Sequence, residues 1–179
     1  MKRYEYAPYW MQRGKGPAEP YPVQKKIKLL ETLCDLKFDS VLEIGAGDGE
    51  LTRIIMQYFK PKRYLAIDLV KERLDKIDVD VEKKEADILH FETDEKFDLV
   101  IAAHTLLHIE QDNIRKIMQK MYHFSKKYVA HVDPIPFAIS GSWAYYNFPH
   151  EYWELWYEMV NKVTFRQVEE KVGLWLVEK

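Results

Sequence analysis

Cysteine is almost absent from this chain. Cys34 is the only one in 179 residues, so no internal disulfide can form and a reducing compartment is expected. It lies among Leu29, Leu30, Leu33 and Leu36, which reads as a buried helix position rather than a nucleophile. No apolar run approaches the roughly 18 residues of a membrane span, and the charged, aromatic N-terminus is unlike a signal peptide. A cytoplasmic protein with no membrane partner is expected. Repeats, low-complexity tracts and convincing linkers are missing as well. Net charge is only −2, yet residues 1–30 hold seven Lys or Arg against Glu5 and Glu19. Such an arm can attract phosphate-rich partners. It lacks the dense basic clusters of a nucleic-acid face, so a solvated lysine-rich segment is the favoured reading. With 47% hydrophobic residues, a chain of this length can bury roughly 70% of its unfolded surface as one domain.

Glycine is scarce too, but three of the seven fall together, at Gly45, Gly47 and Gly49. Before them, Val41-Leu42-Glu43-Ile44 suits a buried parallel strand. After them, Leu51, Ile54, Ile55 and Tyr58 recur with helical spacing. A strand, a glycine turn and a helix in this order form the cofactor-binding half of a doubly wound α/β sheet. The dinucleotide fingerprint would need a third glycine at position 50, which is Glu50. The next strand, Tyr64 to Leu69, contains Asp68, 19 positions after Gly49. A carboxylate there can accept hydrogen bonds from both ribose hydroxyls of an adenosine. A third acid, Asp87, follows a short strand over 81–84, and Phe97-Asp98-Leu99-Val100 leads to Ala103-His104.

The pattern E-x-G-x-G-x-G from Glu43 to Gly49 resembles motif I of the class I S-adenosylmethionine (SAM)-dependent methyltransferases, and the likeness extends over residues 41 to 133. It implies a Rossmann-like, doubly wound α/β sheet of seven strands, mostly parallel, with an antiparallel strand in a C-terminal hairpin. It implies SAM as cofactor and S-adenosylhomocysteine (SAH) as product. By the same resemblance, cofactor contacts fall on Glu43, Gly45, Ala46, Gly47 and Gly49 in the turn, and on Asp68 and Leu69 at the ribose. Asp87 would meet the adenine amino group with Ile88 packed on the ring; the other reading of Asp87 is a helix cap. Ala103 and His104 close the block. Tyr9, Trp10 and Arg13 resemble the Y-W-x-x-R openings of many small-molecule methyltransferases, in which an aromatic shields the cofactor and Arg13 would pair with its carboxylate. A helix packed outside the sheet is the alternative for that segment.

The remaining elements follow from periodicity. A helix over about 22–36 precedes the first strand, and further helices are expected at 50–59, 70–76, 111–125 and 150–161. The fifth strand is Tyr128 to Val132. Strands at 163–169 and 174–178, joined by a turn at 170–173, close the sheet. One domain over 1–179 is expected, with an aromatic, basic arm at 1–22 and a substrate lid loop at 134–149. Trp143, Tyr145 and Tyr146 are lid candidates; Trp153, Trp156 and Tyr157 fit a core stripe.

Methyl transfer asks for an aligned acceptor, exclusion of water and, for many acceptors, a base. Histidine suits that last role near neutral pH. His104, His108 and His150 are the candidates, with Asp133 as base or substrate anchor, while His131 inside a strand reads as structural. His104 and His108 stand four apart and could share a metal, but a coincidental pair is favoured and no metal is expected. The amino-directed DNA enzymes carry N/D-P-P-Y after strand four, where this chain has Ala103-His104-Thr105-Leu106. The expected activity is methyl transfer to an oxygen or nitrogen of a small or medium-sized acceptor. The alternatives are an RNA-end methyltransferase and a non-catalytic SAM-binding module.

Overall fold

The computed structural model describes residues 9, 10, 12, 23–136 and 146–179. Its elements run α1 (Val23–Leu33), β1 (Ser40–Ile44), α2 (Glu50–Tyr58), β2 (Arg63–Asp68), α3 (Lys71–Leu74), β3 (Glu82–Glu85) and β4 (Phe97–Ala103). A single 3-10 turn at Leu106–His108 leads into α4 (Gln111–Phe124), then β5 (Ser125–Pro134), α5 (Tyr152–Tyr157), β6 (Val163–Glu169) and β7 (Val172–Glu178). The strands form one sheet in the order β3-β2-β1-β4-β5-β7-β6. β1 to β5 pair in parallel, and β7 runs antiparallel to both its neighbours.

Central strands covered on both faces must be apolar along their whole length. β1 and β4 come close to this condition: every residue is buried except the first of one and the last of the other, and Glu43 and Asp98 are the buried charged exceptions. Alternation divides their side chains between two cores. Leu42, Ile44, Val100 and Ala102 face α4, where Ile114, Ile117, Met118 and Met121 are buried. Val41, Leu99 and Ile101 face the other way, against Leu29 and Leu33 of α1, Leu51 and Ile55 of α2 and Leu74 of α3. The edge strand β3 is Glu-Lys-Lys-Glu with all four residues exposed, a charged edge that resists pairing with another chain. From β1 the chain steps outward to β3 and then returns to β4 on β1's other side. The carboxyl ends of β1 and β4 therefore flank the switch point, where open α/β sheets bind ligands.

Several local expectations change. β5 starts at Ser125, directly after α4, so it is longer than the apolar core Tyr128 to Val132 indicated. Its last seven residues all pair with β7. Gly173 belongs to β7 rather than to the turn, paired with Asp133 and Gln167, and a β-carbon there would run into the rings of Phe165 and Trp175. Cys34 is exposed, just past the end of α1, with its thiol donating to the Glu31 carbonyl. α5 is short; Trp156 is fully buried, but Tyr157, the next residue, is 58% exposed and is not core. Trp143 and Tyr145 lie outside the described residues. Among the described residues no helix is long and apolar enough to cross a membrane.

Candidate active site

All three motif glycines have positive φ, at 72°, 55° and 80° for Gly45, Gly47 and Gly49, a region that side chains with a β-carbon rarely tolerate. Two of them are filled by the chain itself. A β-carbon on Gly45 would overlap the Thr105 side chain, and one on Gly49 would lie 2.6 Å from Ile77 Cγ1. Gly47 differs, since its nearest neighbour in that direction is Arg73 Nη1 at 3.6 Å. The turn is tied to the end of β2 through the amides of Gly45 and Ala46, which both donate to the Ile67 carbonyl.

Asp68 completes this link. Its Oδ2 accepts the Gly47 N–H and its Oδ1 the Val70 N–H, both at 2.8 Å. Each oxygen keeps a further lone pair for a ligand hydroxyl. Burial raises the Asp68 pKa, opposed by those two amides and by the Arg73 guanidinium. Leu69, next in the chain, is half-buried. Asp48 is drawn toward α3 by Lys76 at 3.2 Å and Arg73 at 3.7 Å, and its Oδ1 has no hydrogen-bond partner among the described residues.

Glu43 sits elsewhere. Its side chain is 2% exposed and turns into the core behind the glycines, where Oε2 accepts from Thr52 Oγ1 at 2.5 Å and Tyr64 Oη at 2.6 Å. Burial pushes its pKa up from 4.5 to about 7, against the two hydroxyl bonds. The carboxyl is thus taken up inside the protein by side chains of α2 and β2. Thr52 and Tyr64 escaped the sequence reading, since neither belongs to a motif and they meet Glu43 only through folding.

Asp87 caps the turn after β3, its Oδ1 accepting the Leu89 N–H at 2.9 Å. Ile88 is 3% exposed and packs in the α4-side core. A cap does not preclude a ligand contact, because the second carboxylate oxygen lacks that bond.

At the end of β4, Ala103 and His104 are half-buried. His104 takes φ +52°, uncommon for a non-glycine residue, with its N–H on the Val132 carbonyl at 2.7 Å. His108 closes the 3-10 turn, and its Nδ1 meets the Tyr146 carbonyl at 3.1 Å. A carbonyl only accepts, so Nδ1 carries the proton and Nε2 is the basic nitrogen. Against the same imidazole lies Trp10, with ring centroids 4.1 Å apart, and Tyr9 stacks on Tyr146 at 4.9 Å. Tyr9, Trp10 and Tyr146 therefore gather around His108. Arg13 lies outside the described residues.

Asp133 and His150 do not join this group. Asp133 has no exposed surface; its Oδ2 binds His131 Nδ1 at 3.0 Å and its Oδ1 the Leu107 N–H at 3.2 Å. Burial raises its pKa, opposed first by His131. The bond from Leu107 makes Asp133 an anchor for the 3-10 turn, not a group in reach of an acceptor. His131 is structural, stacked on Trp175 at 4.8 Å and accepting the Trp156 indole N–H. His150 is 2% exposed, bonded through Nε2 to the Ile109 carbonyl, and burial pushes its pKa down to about 4. Among the described residues no group of His, Cys, Asp or Glu is arranged to hold a metal.

A family model described as a methyltransferase domain matches residues 41–127. The chain is a class I SAM-dependent methyltransferase. SAM is its cofactor, and the donor set at the β2 tip suits it: each Asp68 oxygen accepts one backbone amide and keeps a lone pair for a ribose hydroxyl. The methyltransferase is similar in fold to the N-methyltransferase NodS from Bradyrhizobium japonicum WM9 in complex with SAH. That match has a TM-score of 0.70 at 14% identity, over 97% of this chain and 98% of that one. A SAM-dependent methyltransferase from Clostridium acetobutylicum ATCC 824 aligns with a TM-score of 0.68 at 13% identity, covering 94% of each chain. The methyltransferase domain of bacterial CtHen1-C gives 0.70 at 10% identity, over 86% of this chain and 95% of that one. No curated protein sequence matches the chain.

Proposed function

We propose that this methyltransferase acts on an oxygen or nitrogen of a small or medium-sized acceptor, as one cytoplasmic domain over 1–179. The observation that supports the cofactor's placement is the hydrogen bond between Gly47 and Asp68. It holds the tips of β1 and β2 together beside the switch point, so one adenosine can span both. In this reading Gly45, Ala46, Gly47 and Gly49 present the backbone, Asp68 accepts the ribose hydroxyls with Leu69 beside it, and Asp87 and Ile88 meet the base. Glu43 supports the turn from below through Thr52 and Tyr64.

The cofactor supplies an activated methyl on a sulfonium, so the chain need only align, shield and deprotonate. Tyr9, Trp10 and Tyr146 form an aromatic cover over His108 that excludes water from the acceptor side. His108, with Nδ1–H held by Tyr146, directs its basic nitrogen elsewhere and serves as general base. His104 ends β4 in a strained conformation beside Ala103 and lines the methyl side, in keeping with the tendency of such strain to gather at functional sites. The arm at 1–22, with Arg13, and the segment at 134–149 act as the two halves of the lid.

The test is transfer of labelled methyl from SAM to a panel of small hydroxyl and amine acceptors. Transfer to a member of that panel is expected. SAH binding without transfer to any acceptor would instead identify a SAM-binding module. RNA ends are the second reading, favoured by the basic arm, and predict salt-dependent retention on RNA. Absence of retention at low salt removes that reading.

A further inference from the structure

Lys120 is a lysine in an unexpected place. It lies on α4 and is only 9% exposed, a costly location for an ammonium unless its donors are used. They are. Its Nζ donates to the carbonyls of Ile88 at 3.2 Å, Leu89 at 3.2 Å and Phe91 at 2.7 Å, and pairs with Glu92 at 2.9 Å. Three carbonyls and one carboxylate thus share the three N–H bonds of the group.

Those carbonyls belong to one turn between β3 and β4. At its start the Ala86 N–H donates to the Asp68 carbonyl at 2.9 Å. Asp87 caps the Leu89 amide, and the Asp87 carbonyl accepts from His90 at 2.9 Å and Phe91 at 2.7 Å. The turn is thus a short helix-like coil with an acid at its N-terminal end and a cation gathering the carbonyls at the other. Ile88 and Phe91 pin it to the core, at 3% and 5% exposed. Without the ammonium, three carbonyls facing protein would lose their donor, and the backbone would move to find water.

We propose that Lys120 is a positioning residue for base recognition: it holds the 87–91 turn so that the Asp87 carboxylate faces the cofactor's adenine amino group. This rests on the assignment of Asp87 and Ile88 to the base. Lys120 touches no ligand and acts through the carbonyls it gathers.

Calorimetry with two ligands tests this without any methyl acceptor. SAH carries the adenine amino group; S-inosylhomocysteine replaces it with a carbonyl, which a carboxylate acceptor disfavours. The wild-type protein should prefer SAH by about tenfold, the change expected when one well-placed hydrogen bond is lost. Lys120→Met keeps the buried stem but not the donors, and should bring that preference close to unity. Lys120→Arg, which restores cationic donors, should recover part of it. A purely structural lysine would lower the melting temperature and leave the ligand ratio unchanged, and that result overturns the proposal. Asp87→Ala separates the two ideas. If the wild type and Asp87→Ala both bind the ligands alike, the base assignment fails and the role of Lys120 with it. If Asp87→Ala loses the preference while Lys120→Met retains it, only the role of Lys120 fails. Should Lys120→Met not fold, Lys120→Gln keeps one donor amide and gives the same comparison.

Discussion

Thr105 fills the space that a β-carbon on Gly45 would need. Its hydroxyl lies 3.3 Å from the Ile44 carbonyl and 3.2 Å from that of Ala103, so the residue is wedged between the ends of β1 and β4. This contact fills the junction of the two strand ends from the protein side. At Gly47, with the same backbone hand, a β-carbon would meet only Arg73 Nη1, at an ordinary contact distance of 3.6 Å.

The two glycines should therefore fail differently. Gly45→Ala combines left-handed strain with overlap and should cost roughly 3 kcal/mol in a urea melt. Thr105→Ala should restore part of that loss. Gly47→Ala should cost only about 1 kcal/mol of stability but weaken SAH binding clearly by calorimetry. Equal stability losses at the two positions would contradict this division.

Asp68→Ala should reduce SAH affinity by roughly 10- to 100-fold, the range for hydrogen bonds to a charged acceptor. The raised pKa of Asp68 adds a sign. The carboxylate is the form that accepts, so SAH binding should weaken as pH falls through that raised value. An Asp68→Ala variant that binds SAH as tightly as the wild type would remove the ribose role.

Glu43 and His150 pull stability in opposite directions with pH. The Glu43 pKa rises from 4.5 to about 7, so the folded chain holds a proton that the unfolded chain has released. Its contribution is complete below pH 4.5 and disappears as pH rises through 7. His150 falls from 6.5 to about 4, so its contribution is complete above pH 6.5 and disappears as pH drops through 4. Each is worth roughly 3 kcal/mol at most, and they oppose one another between pH 4.5 and 6.5. In urea melts, Glu43→Gln should make stability climb with pH over that window, and His150→Gln should make it decline. A Glu43→Gln profile matching the wild type would refute the buried acid's titration.

Asp133→Asn should lower stability by about 2–3 kcal/mol, because it disturbs a buried pair with His131 and the anchor to Leu107. A base acting on the acceptor would behave otherwise, with stability intact and turnover abolished. Denaturation and turnover measured together decide between them.

His108→Gln should lower kcat by roughly 100-fold or more if the imidazole is the base, with SAH affinity nearly unchanged. Unaltered kcat would exclude it.

Much of the architecture is legible in the sequence. The β1 turn and the acid ending β2 are constrained by chain neighbours, and local spacing carries such constraints. The expectation for Asp133 went astray for a different reason. An acid at the end of a parallel strand looks available, yet β7 pairs alongside β5, and Trp175 and Trp156 close over His131. That covering comes from residues more than twenty positions away. Glu43 misled in the same manner, because strand alternation assigns it to a face without saying what lies there.

What the sequence alone determined is the order of strands and helices, the glycine turn and the carboxylate beside it, since each depends on residues within a few positions of one another. Tertiary structure decided which polar groups are consumed inside the protein and which remain for a ligand. The hydroxyls of Thr52 and Tyr64 take up Glu43, His131 takes up Asp133, and Lys120 reaches a turn some thirty residues distant. Those partnerships arise where the crossovers of the sheet bring distant segments together. A buried polar group must find a partner there, and no local pattern names which one.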